Sequence, residues 1–237
     1  MSFAHWLNSH ERIRGRHESR LQLVQWSTEY AERRVNRDET LSRLKDLFLD
    51  GTVYNPDIIH VESDQKLYNL LPLLSEIFPR ARFVWLVRSG YDVVSSLVGR
   101  GWYSQEPDSF QRNNVAWWWN NWRVQGDRTD PPASNWIEMT QFEKCAWYWA
   151  HANARIESTI GELRADHVLR TRLEDMEKDA ERIAKFCGVG AFKTKVPISN
   201  PANHGKYDPA KWTEHEKEVF ERWCGPLMRR LYPQLTR

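Results

Sequence analysis

The sequence predicts an α/β protein whose core is a mostly parallel sheet flanked by helices, and three observations lead there. Short apolar runs occur around Ile58, Ile59 and Val61, over Arg82–Arg88 (RFVWLVR) and over His167–Leu173 (HVLRTRL), each with the length and the polar flanks of a buried strand. Segments with apolar residues at helical spacing separate these runs. A chain of 237 residues is also long enough to bury one core without disulfide staples.

Taken in order, LYNLLPLLSEI (Leu67–Ile77) carries apolar residues at helical spacing and stops at the FPRA turn. Gly90 ends the strand that follows, and YDVVSSLVGRGW places Val93, Val94 and Leu97 on one helical face. Gln141–Leu163 is a long amphipathic helix. Glu174–Cys187 reads as a helix closed by Gly188, and Glu214–Leu231 as a C-terminal helix with Thr213 as N-cap and Glu216 at the capping-box position. No internal repeat, linker or low-complexity tract divides residues 1–237, so a single domain is expected, with a Trp-rich, lid-like insertion over 102–143.

Composition bounds the function. The 34 Lys and Arg against 32 Asp and Glu are interspersed and give a net charge of +2, so no field of one sign points to nucleic acid or an anionic membrane. Any anion site must be local. The three cysteines, Cys145, Cys187 and Cys224, show neither CxxC nor zinc spacing, which suits reduced thiols in a cytoplasmic protein that holds no metal. No apolar run approaches the roughly 20 residues of a membrane span, and the start lacks a signal peptide's apolar stretch. Six of the thirteen Trp fall between Trp102 and Trp136, as a packed satellite core or an acceptor pocket would require.

In open α/β sheets ligands collect beyond the carboxyl ends of the strands, which draws attention to Arg88 and the turn after it. Ser96 lies eight residues on, two turns into the following helix. A guanidinium fork and a hydroxyl near a helix start can grip a phosphate monoester, although an Arg88–Asp92 ion pair and a Ser packed on its helix explain the same residues. Arg100 could turn toward the same phosphate or cap the helix end as a C-terminal cation. Lys206, beside His204 and Gly205 in the loop ISNPANHGKYDPAKW, could close over a nucleotide or simply face solvent.

The string FPRARFVWLVRSGYDVVSSLVGRGWY resembles the 3′-phosphate-binding segment of sulfotransferases that use 3′-phosphoadenosine 5′-phosphosulfate (PAPS): an apolar strand ending in Arg (Arg88), a turn, Asp-Val (Asp92, Val93) and Ser96. CAWYWAHANARI looks like the family's Trp-rich helix, and RLEDMEKDAERIAKFCGV like the segment after its next strand. The likeness runs from about residue 5 to residue 190. It implies a P-loop nucleotide-kinase-like sulfotransferase fold, PAPS or adenosine 3′,5′-bisphosphate as nucleotide, and a hydroxyl acceptor on a carbohydrate, lipid or small molecule. Arg88 and Ser96 would hold the 3′-phosphate, helped by Arg100 and Lys206.

LNSHERIRGRHESR is similar to the region behind the 5′-phosphosulfate loop of the tyrosylprotein, glycan and related bacterial members, which places Glu18 at the catalytic carboxylate and Arg20 beside the transferred group. An attacking hydroxyl must lose its proton while charge builds on the leaving phosphate oxygen, and a carboxylate and a guanidinium side by side serve both needs. His17 and His10 are rival bases.

The chain departs from the family pattern in two places. No Pro/Gly/Ser/Thr/Lys-rich phosphate loop precedes MSFAHWL, and none of the eleven glycines lies in a GxxxxGK pattern. That departure implies either a true start further upstream or a shortened homologue with reduced or no transfer. Where many relatives place a Lys ahead of LYNLLPLLSEIFP, this chain has Ser63, with Lys66 three residues along and Glu62 as a possible acceptor-site residue. Two other classes stay open: a non-catalytic protein that binds the bisphosphate, and a nucleotide or sugar kinase, which needs a Walker loop and a magnesium carboxylate that the sequence does not clearly show.

Overall fold

Among the described residues four strands run parallel in pairs, each five residues long. In the computed structural model, which describes residues 3–49, 55–104, 121–196 and 207–235, β1 (Ile13–His17) runs beside β2 (Ile59–Ser63), with Ile13 opposite Ile59 and His17 opposite Ser63. Likewise β3 (Phe83–Val87) runs beside β4 (Val168–Arg172), with Phe83 opposite Val168. Parallel neighbours need long crossovers. Helices α2 (Leu21–Ala31) and α3 (Arg37–Leu49) join the first pair, and α5 (Gly90–Gly99) and α6 (Gln141–Gly161) lie between β3 and β4. The strand direction is as expected from the sequence, but the sheet is divided: among the described residues no strand hydrogen-bonds both pairs.

The chain forms two compact units: residues 1–30, 35–87 and 158–201 make the first, and residues 31–34, 88–157 and 202–237 the second. In the first, both strand pairs share a core of Trp6, Leu7, Ile13, Leu169, Met176 and Ile183, packed with Ile59, Val61, Val84 and Leu86. A second cluster joins Leu23, Leu41, Leu44, Phe48, Leu70, Leu73 and Leu74 from α2, α3 and α4 (Leu71–Ile77).

Several boundaries moved for local reasons. The helix expected over Leu67–Ile77 breaks into a 3-10 turn (Gln65–Asn69) and α4, because Pro72, which donates no N–H, sits in the first turn of a new helix. The helix expected over Glu174–Cys187 begins only at Ala180 as α7 (Ala180–Cys187), because Arg172 ties down Asp175, and Thr171 Oγ1 holds Asp179 Oδ2 at 2.6 Å. Gly188 closes it with φ +74, in the left-handed region where glycine carries no Cβ penalty.

In the second unit, α8 (Glu214–Leu231) carries the expected capping box, with Glu216 N donating to Thr213 Oγ1 at 3.2 Å and Thr213 N to Glu216 Oε2 at 2.8 Å. Gly90 admits α8 at close range: a Cβ there would meet Phe220 at 3.2 Å and Met228 Sδ at 3.3 Å. The described part of the Trp-rich insertion is packed core. Trp102 sits edge-on to Tyr148 at 5.2 Å, and Trp136 against Trp147 at 4.9 Å. Residues 105–120, with the WWW of that insertion, lie outside the described residues.

Candidate functional site: the carboxyl ends of the strands

Beyond the carboxyl ends of β1 and β2 the first unit gathers Glu18, Arg20, Glu62, Asp64, Lys66 and His17. The ladder extends one residue past β1, as Glu18 N donates to Ser63 O at 3.0 Å. Glu18 itself takes φ +47, a conformation that side chains other than glycine's adopt only under local constraint. The turn brings Ser19 Oγ to donate to Glu62 Oε1 at 3.0 Å and sets Arg20 Nε 3.7 Å from Glu62 Oε2.

Arg20 is held on three sides. Its guanidinium lies 4.7 Å over the Phe48 ring, Nη1 donates to Leu47 O at 3.0 Å, and Nε faces Glu62. Nη2 has no partner among the described residues. Burial raises the Glu62 carboxyl above its usual range, against the lowering pull of Ser19 and Arg20. Asp64 accepts the Lys66 backbone N–H on Oδ1 at 2.7 Å, while Oδ2 has no partner among the described residues. Burial pushes this carboxyl up to about 6. Lys66 is fully buried, and its backbone oxygen accepts from Ser27 Oγ at 2.6 Å.

The rival bases differ in what they are free to do. His10 Nδ1 accepts from Arg12 N at 3.2 Å, so it is committed to its turn. His17 Nδ1 sits 3.1 Å from Ser63 O, a contact that requires a proton on Nδ1 and leaves Nε2, 3.9 Å from Glu18 Oε2, as the basic atom.

In the second unit, Arg88 directly follows β3. Its Nε lies 3.5 Å from Asp92 Oδ2 in a partly exposed pair, and its backbone oxygen accepts from the Trp149 indole at 3.0 Å. Nη1 and Nη2 have no partner among the described residues, so two donors of the fork remain for a ligand. Ser96 is half-buried on α5, while its neighbour Ser95 is buried. Arg100 caps α5, donating its backbone N–H to Ser96 O at 3.1 Å, and its exposed side chain makes no hydrogen bond or ion pair among the described residues. Lys206 lies outside the described residues.

Sequence reading missed Asp64 and Ser19. Both flank strand ends, and the signal that would have found them is the strand β1 itself, which has one apolar residue, Ile13, deep in the core and four polar or small neighbours. The cysteines are free thiols, Cys145 and Cys224 buried. Among the described residues no group of His, Cys, Asp and Glu could hold a metal ion, and no helix is long and apolar enough to cross a membrane.

No protein-family model matches the chain, and no curated protein matches it. Among solved structures the chain is similar to a sulfotransferase domain from the curacin biosynthetic pathway, at 16% identity and a TM-score of 0.43, over 92% of this chain and 80% of that one.

Proposed function

We propose that the chain transfers a sulfuryl group from PAPS to a hydroxyl acceptor, with Glu18 as base and Arg20 as the cation beside the transferred group. The observation that carries this reading is the conformation of Glu18: a non-glycine residue held at φ +47 at the carboxyl end of a parallel strand, with Arg20 anchored two residues on. Such backbone strain costs on the order of 1–3 kcal/mol and concentrates where a side chain must be presented to a ligand. The sequence resemblance assigns the same two residues to the same chemistry.

Bound PAPS supplies an activated sulfuryl group and a good leaving group. In the proposed step Glu18 takes the proton of the acceptor hydroxyl as its oxygen bonds to sulfur and the bond from sulfur to the phosphate oxygen breaks. Arg20 receives the charge collecting on that departing oxygen. Arg88 contributes the N–H groups of Nη1 and Nη2, which have no partner among the described residues, and Ser96 a partly exposed hydroxyl, to the nucleotide's 3′-phosphate. Arg100 is free to add a third cation, and Lys206 keeps the role that the resemblance gives it.

Transfer of 35S from labelled PAPS to a panel of hydroxyl acceptors tests the reading. Turnover that Glu18→Gln removes and His17→Ala retains is the expected result. Turnover lost only in His17→Ala moves the base to the imidazole. Binding of adenosine 3′,5′-bisphosphate without any turnover supports the non-catalytic alternative.

A further inference from the structure

Glu18 is the strained residue of the site, and its hold can be traced on both sides. A residue other than glycine stays at φ +47 only where its surroundings fix it. Toward the strand, the Glu18 N–H is fixed by Ser63 O at the end of the β1–β2 ladder, 3.0 Å away. Beyond Glu18 the chain continues into Ser19 and Arg20, and one carboxylate of β2 reaches both. Glu62 Oε1 accepts from Ser19 Oγ at 3.0 Å, while Oε2 lies 3.7 Å from Arg20 Nε.

Sequence reading left Glu62 as a possible acceptor-site residue, but both of its oxygens face groups of the protein itself. Its side chain is 18% exposed and that of Arg20 17%, so the pair sits largely out of water, where removing one charge leaves the other uncompensated. Arg20 Nε is buried and makes no hydrogen bond among the described residues, so the Glu62 charge is what balances it there. Across the ladder Arg16 stands opposite Glu62 and adds a second positive charge. A carboxylate suits this place because it offers two acceptor oxygens and no donor. An amide of the same shape carries no charge, and it would aim its NH2 at Arg20 whenever its oxygen served Ser19.

We infer that Glu62 is a positioning residue: it ties Ser19 and Arg20 to β2, and so keeps the Glu18 carboxylate and the Arg20 guanidinium in the arrangement that transfer needs, without touching either substrate. Its effect on transfer rests on the sulfuryl-transfer reading, whereas its hold on the Glu18 turn does not.

Amide hydrogen exchange, read residue by residue by NMR on the full chain, measures the hold without any turnover. In Glu62→Ala the Glu18 amide should exchange about tenfold faster than in wild type, while the Ile59 amide, which donates to Arg12 O at 2.7 Å at the far end of the same ladder, keeps its rate. Ser19→Ala removes one arm of the hold and should give a smaller acceleration, about threefold, again confined to Glu18. Transfer kinetics then separate positioning from acceptor contact: Glu62→Ala should lower kcat about tenfold or more with the acceptor KM within about twofold of wild type. Glu18 exchange that is unchanged, or accelerated no more than that of Ile59, in both variants overturns the hold. An unchanged kcat overturns the positioning role, and a raised acceptor KM beside it returns Glu62 to the acceptor site. Faster Glu18 exchange in both variants, with no sulfuryl transfer by the wild type, keeps the hold and overturns the sulfuryl-transfer reading alone.

Discussion

Glu18 concentrates a conflict between backbone and side chain. Its φ of +47 favours glycine, yet the residue is a glutamate whose carboxylate the proposed chemistry needs. Glu18→Gly should therefore leave stability unchanged or raise it by about 1 kcal/mol in urea titration while abolishing transfer. Glu18→Gln keeps the strain and should lose transfer without a stability gain. Asp64 makes a second prediction. Burial raises its carboxyl from 3.8 to about 6, so the folded protein holds this proton more tightly than the unfolded chain between those values. Stability then falls as pH rises through that window, by about 3 kcal/mol at most. The difference in unfolding free energy between wild type and Asp64→Asn should show that fall between pH 4 and 7, and a flat difference would remove Asp64 as its source.

At the scale of elements, α1 (Phe3–Leu7) and β1 are locked by contact. A Cβ at Gly15 would meet a backbone oxygen, which cannot rotate away, so Gly15→Ala should cost roughly 1–3 kcal/mol in chemical denaturation. Thr213→Ala removes the hydroxyl that caps α8 and should cost about 1 kcal/mol, read the same way. Elements with a clear period were legible from sequence: the FVWLV strand, the long helix through Trp147 and Trp149, and the Thr213–Glu216 box all stand where expected. β1 was not, because its outward face is Arg14 and Arg16 and its packing face includes Gly15, so no alternation of apolar and polar residues marks it. The helix break at Pro72 was marked by the proline itself but masked by the leucines around it. At the site, Arg88 and Ser96 were singled out by a strand end and helical spacing, whereas Glu18 and Arg20 were singled out only by the family resemblance, because the strand that precedes them carries no readable period. Their partners were not: Phe48, Leu47 and Glu62 reach Arg20 from 28, 27 and 42 residues away, distances that only the folded chain closes.

For the molecule as a whole, the proposed function has a chain of nearly balanced charge bind a multiply charged nucleotide through a few local groups. Affinity should then depend on individual residues more than on net charge. The strand-ending Arg88 is the sharpest case, because among the described residues its Nη1 and Nη2 are unengaged and its ion pair with Asp92 is partly exposed. A ligand bound only by the folded state stabilises by RT ln(1 + [L]/Kd), about 2.7 kcal/mol at a hundredfold excess. The most direct measurement is the thermal unfolding of the wild-type chain and of Arg88→Ala with and without adenosine 3′,5′-bisphosphate. The expected result is a rise in wild-type Tm that Arg88→Ala abolishes and Ser96→Ala reduces. No rise in the wild type, or an equal rise in Arg88→Ala, would contradict the account.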